Sequence, residues 1–363
     1  MVRLRDRSVY RLALRSLPAS GIFHQRSADR AGYLRDRVSV AGVVNHDTGA
    51  ASNNSCASDR GRSSSEKRCN VLAAEPTNQR MVRAFREHWP EYFCEAAELG
   101  LFMVSASLFT MLLWHPSSPV LNLIPDPFVR RMLTGMAMGG TAIALVFSPL
   151  GKRSGAHFNP AVTLTFWRLG KVKHWDAFFY VIAQFIGGIA GVFVVALVAR
   201  AMLSHPAVKY VATLPGPHGM AIAFIAELII AFILMTVVLN VSNTPHLARF
   251  TGIFAGCLVA TYITFEGPFS GMSMNPARTF SSAFVGDLWT GLWIYFTAPV
   301  LAMQLAALIY LRSKRPVYCA KYHHHNNQRC IFNCRFNQLL EREQATKESY
   351  QPTSTVNESS IAH

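Results

Sequence analysis

Asn-Pro-Ala occurs twice, at Asn159-Pro160-Ala161 and Asn275-Pro276-Ala277, each time between long apolar runs. A glycine stands four residues before each asparagine, Gly155 and Gly271, and the second copy runs directly into Arg278. Asn is a favoured N-cap because its side-chain oxygen accepts from an early backbone N–H of the helix. Pro at the first helical position loses nothing there, since that N–H has no partner within the helix. The asparagine N–H₂ is left to face whatever lies beyond the helix tip, and Ala is small enough to let a second tip approach. Two such tips in opposition would offer two amide donors and two positive dipole ends, each worth roughly half an elementary charge. That chemistry accepts a neutral oxygen-bearing solute and repels a cation. It makes and breaks no bonds. The apolar stretches hold neither a nucleophile–base pair nor a metal constellation, so neither enzyme activity nor a cofactor is expected.

Other polar residues share the apolar region. Arg278 falls one turn into the second short helix, where a charge within a membrane is costly and by default functional. Glu98 and Glu227 each sit in an Ala-Glu-Leu context. Intramembrane carboxylates can couple transport to protons, but the symmetric placement of these two favours accepting hydrogen bonds from the irregular backbone ahead of each short helix. His157, two residues before Asn159, either lines a passage or fixes its loop. In the C-terminal segment His323-His324-His325, Cys330 and Cys334 are metal-binding residue types, but their spacing fits no tight zinc pattern and no metal site is expected there. The seven cysteines are scattered and suggest no disulfide framework. Thr346, Ser349, Thr353 and Ser354 are candidates for phosphorylation.

The elements that must position these residues follow from hydropathy. Of 363 residues 51% are hydrophobic and only 15% charged, a low charge fraction for a soluble domain. Runs of about 20 apolar residues, the length that crosses a bilayer, predict spans near 93–114, 131–149, 176–199, 220–241, 249–266 and 289–311. Helical segments near 160–168 and 276–285 are too short to cross and must be re-entrant. Gly135-x-x-x-Gly139 in the second span has its counterpart in Gly252-x-x-x-Gly256 of the fifth. Each half has three spans and one half-helix, so the second copy is inverted relative to the first, an arrangement that places broken helices together near the midplane.

The expected organisation is therefore all-α: a channel-like domain over 89–315, with repeats at 93–200 and 220–312, between a basic extension (1–88) and a tail (316–363), both expected to lack order. The Arg- and Ser-containing first 40 residues have a transit-peptide flavour, against which stand Asp6, Asp29 and Asp36; Met81 is an alternative start. The formal charge of +15 fits basic residues held on the cytoplasmic side of a membrane better than it fits nucleic-acid binding. Arg80, Arg83, Arg86, Lys152, Arg153, Arg168, Lys171, Lys173, Arg249, Arg312, Lys314 and Arg315 share one side if both termini are cytoplasmic, with Arg130, Arg131, Arg200 and Lys209 opposite.

Gly155-Ala-His-Phe-Asn-Pro-Ala-Val-Thr-Leu164 and Gly271-Met-Ser-Met-Asn-Pro-Ala-Arg278 resemble the two signature loops of the aquaporin, or major intrinsic protein, family. The resemblance covers about residues 93–312 and includes both glutamates, the Gln184-Phe-Ile-Gly-Gly stretch and the glycine pairs. It implies a passive, tetrameric channel for water in the plasma membrane, with Arg278 at a narrow outer constriction. Position by position it places Gly139, Ile263 and Met272 at the same constriction. Gly139 would widen the pore, or would serve helix packing instead; both readings stay open, with Gly140 as a register alternative. Glycerol-conducting relatives usually carry Asp immediately after the arginine of the second motif, whereas this chain has Thr279 after Arg278, and Ala283 and Tyr295-Phe296 are closer to the water channels. Water is thus the expected solute, with glycerol, urea, ammonia or metalloid hydroxides as the alternative and a coupled transporter less favoured.

Overall fold

The computed structural model describes residues 76–349. The N-terminal extension up to residue 75 and the candidate sites Thr353 and Ser354 lie outside the described residues. Within them the chain forms α1 (Thr77–Trp114), α2 (Pro119–Leu123), α3 (Pro127–Phe147), α4 (Pro149–Ser154), α5 (Pro160–Arg168) and α6 (His174–Leu203). There follow α7 (Met220–Ser242), α8 (Thr251–Phe265), α9 (Gly267–Ser270), α10 (Pro276–Gly286), α11 (Leu292–Arg312) and α12 (Phe336–Ser349). Proline opens α2, α3, α4, α5 and α10, each behind a Ser, Asp or Asn whose side chain caps the first turn.

Five of the described helices are long and apolar enough to cross a membrane: α1, α6, α7, α8 with the turn before it, and α11. The sixth span, α3, has the length at 21 residues, but Arg130, Arg131 and its glycines dilute its hydropathy. Leu108, Ile186, Val198, Ile229, Leu301 and Leu305 are exposed on the outside of the bundle, where water would be costly and lipid is not. The protein is an integral membrane protein with an all-α fold.

The halves mirror each other in packing as well as order. The broadest contacts are α1 with α6 and, in the second half, α7 with α11, while α3 and α8 cross between them. Glycine makes these crossings close: a Cβ at Gly187 would stand 2.0 Å from the Ala96 carbonyl oxygen, and one at Gly139 2.5 Å from that of Gly256.

Two expectations need correction. The first helix begins at Thr77, 16 residues before the apolar span. It is tied down there by polar contacts that hydropathy does not register: His88 Nδ1 lies 2.6 Å from Asp176, Tyr92 donates to the same carboxylate at 2.7 Å, and Arg153 pairs with Glu91 at 3.2 Å. The tail is also ordered as far as it is described. Val317 to Tyr322 are buried, as are Ile331 and Phe332. The Tyr322 N–H donates to the Gly155 carbonyl at 3.1 Å and the Asn333 N–H to that of Lys171 at 2.8 Å. Apolar residues spaced irregularly among polar ones form no periodic pattern, so this packing was invisible before the loop they cover was placed.

Candidate functional site

The two half-helices α5 and α10 meet tip to tip. The Asn159 side-chain oxygen accepts from the Ala161 N–H at 2.9 Å, and the Asn275 oxygen from Ala277 and Arg278 at 3.1 and 3.2 Å. Each amide nitrogen then reaches across: Asn159 Nδ2 donates to the Met274 carbonyl at 2.8 Å and Asn275 Nδ2 to the Phe158 carbonyl at 2.7 Å. One N–H of each amide thus joins the opposite loop, and only the second can serve a solute. This modifies the expectation of wholly free amides.

Behind each tip lies the same clasp. Gly155 and Gly271 take left-handed φ of 103° and 77°. They are followed by two further left-handed residues per loop, Ala156 and Phe158 in the first, Met272 and Met274 in the second. That conformation costs a non-glycine residue roughly 1–2 kcal/mol, so something must hold it. In the second loop Glu227 accepts from the Ser273 and Met274 N–H groups, both at 2.7 Å, and from Ser270 Oγ at 2.8 Å. In the first loop the backbone task falls to Glu95, which accepts from His157 and Phe158 N–H at 2.9 and 2.7 Å. Gln184 Nε2 also donates to it, at 2.6 Å. Glu98 takes only Ser154 Oγ, at 2.7 Å. The role expected of Glu98 is therefore split, and Glu95 carries the larger part. The missed signal was the i, i+3 spacing of the two glutamates, which sets both on one helix face. Tyr180 and Tyr295 complete the clasps, their hydroxyls donating to the Ser154 and Ser270 carbonyls at 2.7 and 2.6 Å.

A cavity of about 240 Å³ passes the two tips. Asn159, Asn275, Arg278, Ile263, Met272 and His157 all line it. Neither Glu98 nor Glu227 does. The Arg278 guanidinium is aimed by the carbonyl of Val211, to which it donates at 2.7 Å. Gly139 is a correction: it is not among the lining residues, and Met138 and Ala142 face the cavity from α3 in its place. Gly139 points instead into the crossing with α8, so of its two readings the geometry selects packing. Gly140 has open space around it. Phe102 and Phe158 also line the cavity, their rings 6.0 Å apart; single aromatics in an apolar span carried no signal that could mark them.

One end of the cavity is closed in by the C-terminal segment. His157 is 2% exposed, sandwiched between Phe166 and Phe332 at 5.3 and 5.4 Å. Its Nε2 lies 2.9 Å from the Ala320 carbonyl and its Nδ1 3.1 Å from Thr163 Oγ1. Tyr322 stands in the cavity wall itself. Lys321 anchors this stretch by donating to the Lys152 and Arg329 carbonyls at 2.7 and 2.9 Å, and burial pulls its pKa below the ordinary lysine value.

Comparison with known proteins places this geometry. The family model described as "Major intrinsic protein" matches residues 86–310. Aquaporin NIP2-3 of Zea mays is 34% identical over 214 residues, which cover 58% of this chain and 69% of that protein. Aquaporin NIP1-2 of Arabidopsis thaliana is 35% identical over 184 residues, 49% of this chain and 62% of that one. The X-ray structure of the aquaglyceroporin from Plasmodium falciparum shares the fold, with a TM-score of 0.50 at 20% identity over 61% of this chain and 95% of that one.

Proposed function

Since the chain belongs to the major intrinsic protein family, a family of channels, we propose that its cavity is a passive, single-file pore for water. The observation that carries this reading is the pair of asparagine amides on one cavity with Arg278. Each amide is fixed by a bond to the opposite loop and keeps one N–H for a passing oxygen. Two half-helix N-termini and a guanidinium face the same file, and such an arrangement excludes cations and protons, as described for aquaporin-type pores. Between the polar points the wall is apolar, with Val259, Ile263 and Met272 offering a solute nothing to bind. The carboxylates considered for coupling to protons, Glu98 and Glu227, stand off the cavity and are engaged with the loops.

The aliphatic wall from α8 also supports a second reading, in which small neutral solutes such as glycerol or urea follow water. Both termini on the cytoplasmic side, residence in the plasma membrane and assembly as a homotetramer complete the proposal. Lys152, Arg153, Arg168 and Arg312 support the orientation, and the apolar outer faces of the bundle offer surfaces for neighbouring copies.

Reconstitution into liposomes tests the reading. Under a sucrose gradient, stopped-flow light scattering should show shrinkage faster than in empty vesicles, with no dissipation of a proton gradient. Shrinkage at the empty-vesicle rate in folded protein refutes a water channel. Re-swelling under a glycerol gradient selects the broader pore, and an Ile263→Phe variant should then abolish re-swelling while sparing water.

A further inference from the structure

Cys319, His324, Cys330 and Cys334 are dispersed along the chain as Cys-x4-His-x5-Cys-x3-Cys, yet one ligand atom from each lies within 4.8 Å of the others. We propose that these four residues bind a single zinc ion, which fixes the C-terminal segment against the mouth of the cavity.

The donor set and geometry both point to zinc. Three thiolates and an imidazole make a closed, tetrahedral structural site, and hard cations such as magnesium or calcium do not choose sulfur. Zn–S bonds near 2.3 Å put two sulfurs of a tetrahedron about 3.8 Å apart; Cys319 and Cys330 Sγ stand 3.6 Å apart. A sulfur and an imidazole nitrogen should lie about 3.5 Å apart, and Cys334 Sγ is 3.1 Å from His324 Nε2. The outer contacts also suit a metal site. The His324 ring is stacked on Phe336 with centroids 4.1 Å apart, which fixes its orientation. The Phe336 N–H donates to Cys334 Sγ at 3.4 Å, a bond of the kind that steadies metal ligands. Of the three adjacent histidines only His324 places a ring nitrogen in the cluster; His323 lies against Phe147 and His325 edge-on to Phe336.

Sequence spacing hid this site because Cys319 lies outside the histidine run and only the middle histidine takes part. The Cys330-x3-Cys334 pair does fall within ordinary zinc spacing. The ligands also alternate with the residues that touch the mouth. Ala320, whose carbonyl lies 2.9 Å from His157 Nε2, follows Cys319. Tyr322 comes two residues before His324, and Phe332 lies between the last two cysteines. One ion would therefore staple both chain segments that cover the first loop.

The test uses the full chain, purified in detergent with an affinity tag free of histidine. Elemental analysis should find about one zinc per chain. Substituting cobalt should give the visible bands of a tetrahedral thiolate site. A Cys330→Ser/Cys334→Ser variant should lose both signals, whereas His323→Ala/His325→Ala keeps them. Tryptic cleavage at Arg329 and Arg335 should be slow until a chelator is added. His324→Cys, which preserves four ligands, should retain zinc and so guards against a double variant that simply misfolds. Zinc at background in reduced wild-type protein supplied with the metal overturns the proposal. So does undiminished zinc in the double cysteine variant, or cleavage that chelation leaves unchanged.

Discussion

Single residues hold the irregular loops, and their roles separate by which atoms are already engaged. Both Glu95 oxygens accept from backbone N–H groups, whereas Glu98 has one oxygen without a hydrogen-bond partner. Glu95→Gln would turn a donor either toward the His157 N–H or toward the Phe158 N–H and the Gln184 amide. The loss should be about 1.5–3 kcal/mol, the range for a bond to a charged group, seen as a lower unfolding midpoint in detergent. Glu98→Gln should not lower that midpoint, and equal losses would undo the distinction. Gly139 offers a second contrast. Gly139→Ala drives a Cβ into the Gly256 carbonyl, while Gly140→Ala meets open space. The first should therefore reduce the yield of folded protein and the second should not. If Gly139→Ala folds normally but changes solute choice, the packing assignment is wrong. Asn159, Asn275 and Arg278 were legible in the sequence because their neighbours left no other use for them. Glu95 was missed and Gly139 left open because hydropathy says which residues are in the membrane, not which side of a helix faces a neighbour.

At the scale of elements, the two half-helices are the least self-sufficient parts of the fold, at 9 and 11 residues. Isolated helices of that length are marginal in water; here they are capped, clasped from behind and bonded to each other at the tips. The asparagines combine two tasks that substitution can separate. Asn275→Asp keeps the capping oxygen but puts an anion where the amide donor stood. The variant should remain folded, yet admit protons or cations that the parent rejects, read as faster decay of a pH gradient in dye-loaded vesicles. An unchanged leak would detach the amide from the exclusion of charge. Asn275→Ala loses the cap as well and should cost roughly 0.5–2 kcal/mol on that account. The half-helices and spans fell within a few residues of their expected bounds, since an Asn-Pro start and about 20 apolar residues each have one physical meaning in a bilayer. The extension of α1 past the membrane and the docked tail rest on polar contacts between distant segments, and no local pattern encodes those.

At the scale of the whole molecule the internal two-fold is broken at the mouths. The first loop's His157 is bonded to Ala320 and stacked on Phe332, whereas its counterpart in the second loop, Ser273, is satisfied locally by Asn275 and Thr279. Among the described residues the first loop thus has the C-terminal segment as its cover, whereas the second meets the connector before α7, as in the contact of Thr213 with Thr279. If the cover limits passage, a membrane-permeant chelator should raise osmotic shrinkage several-fold, and Tyr322→Ala should raise it with zinc still bound. Unchanged rates in both would leave the segment a brace and not a valve. The docking of this segment also has a thermodynamic corollary. Two binding events that share one equilibrium must influence each other by the same factor in both directions. A metal that favours the docked segment is therefore itself loosened by any molecule that binds better when the segment is undocked, and the tail becomes a reporter: a blocker that fits only the undocked mouth should weaken zinc affinity without ever touching a zinc ligand.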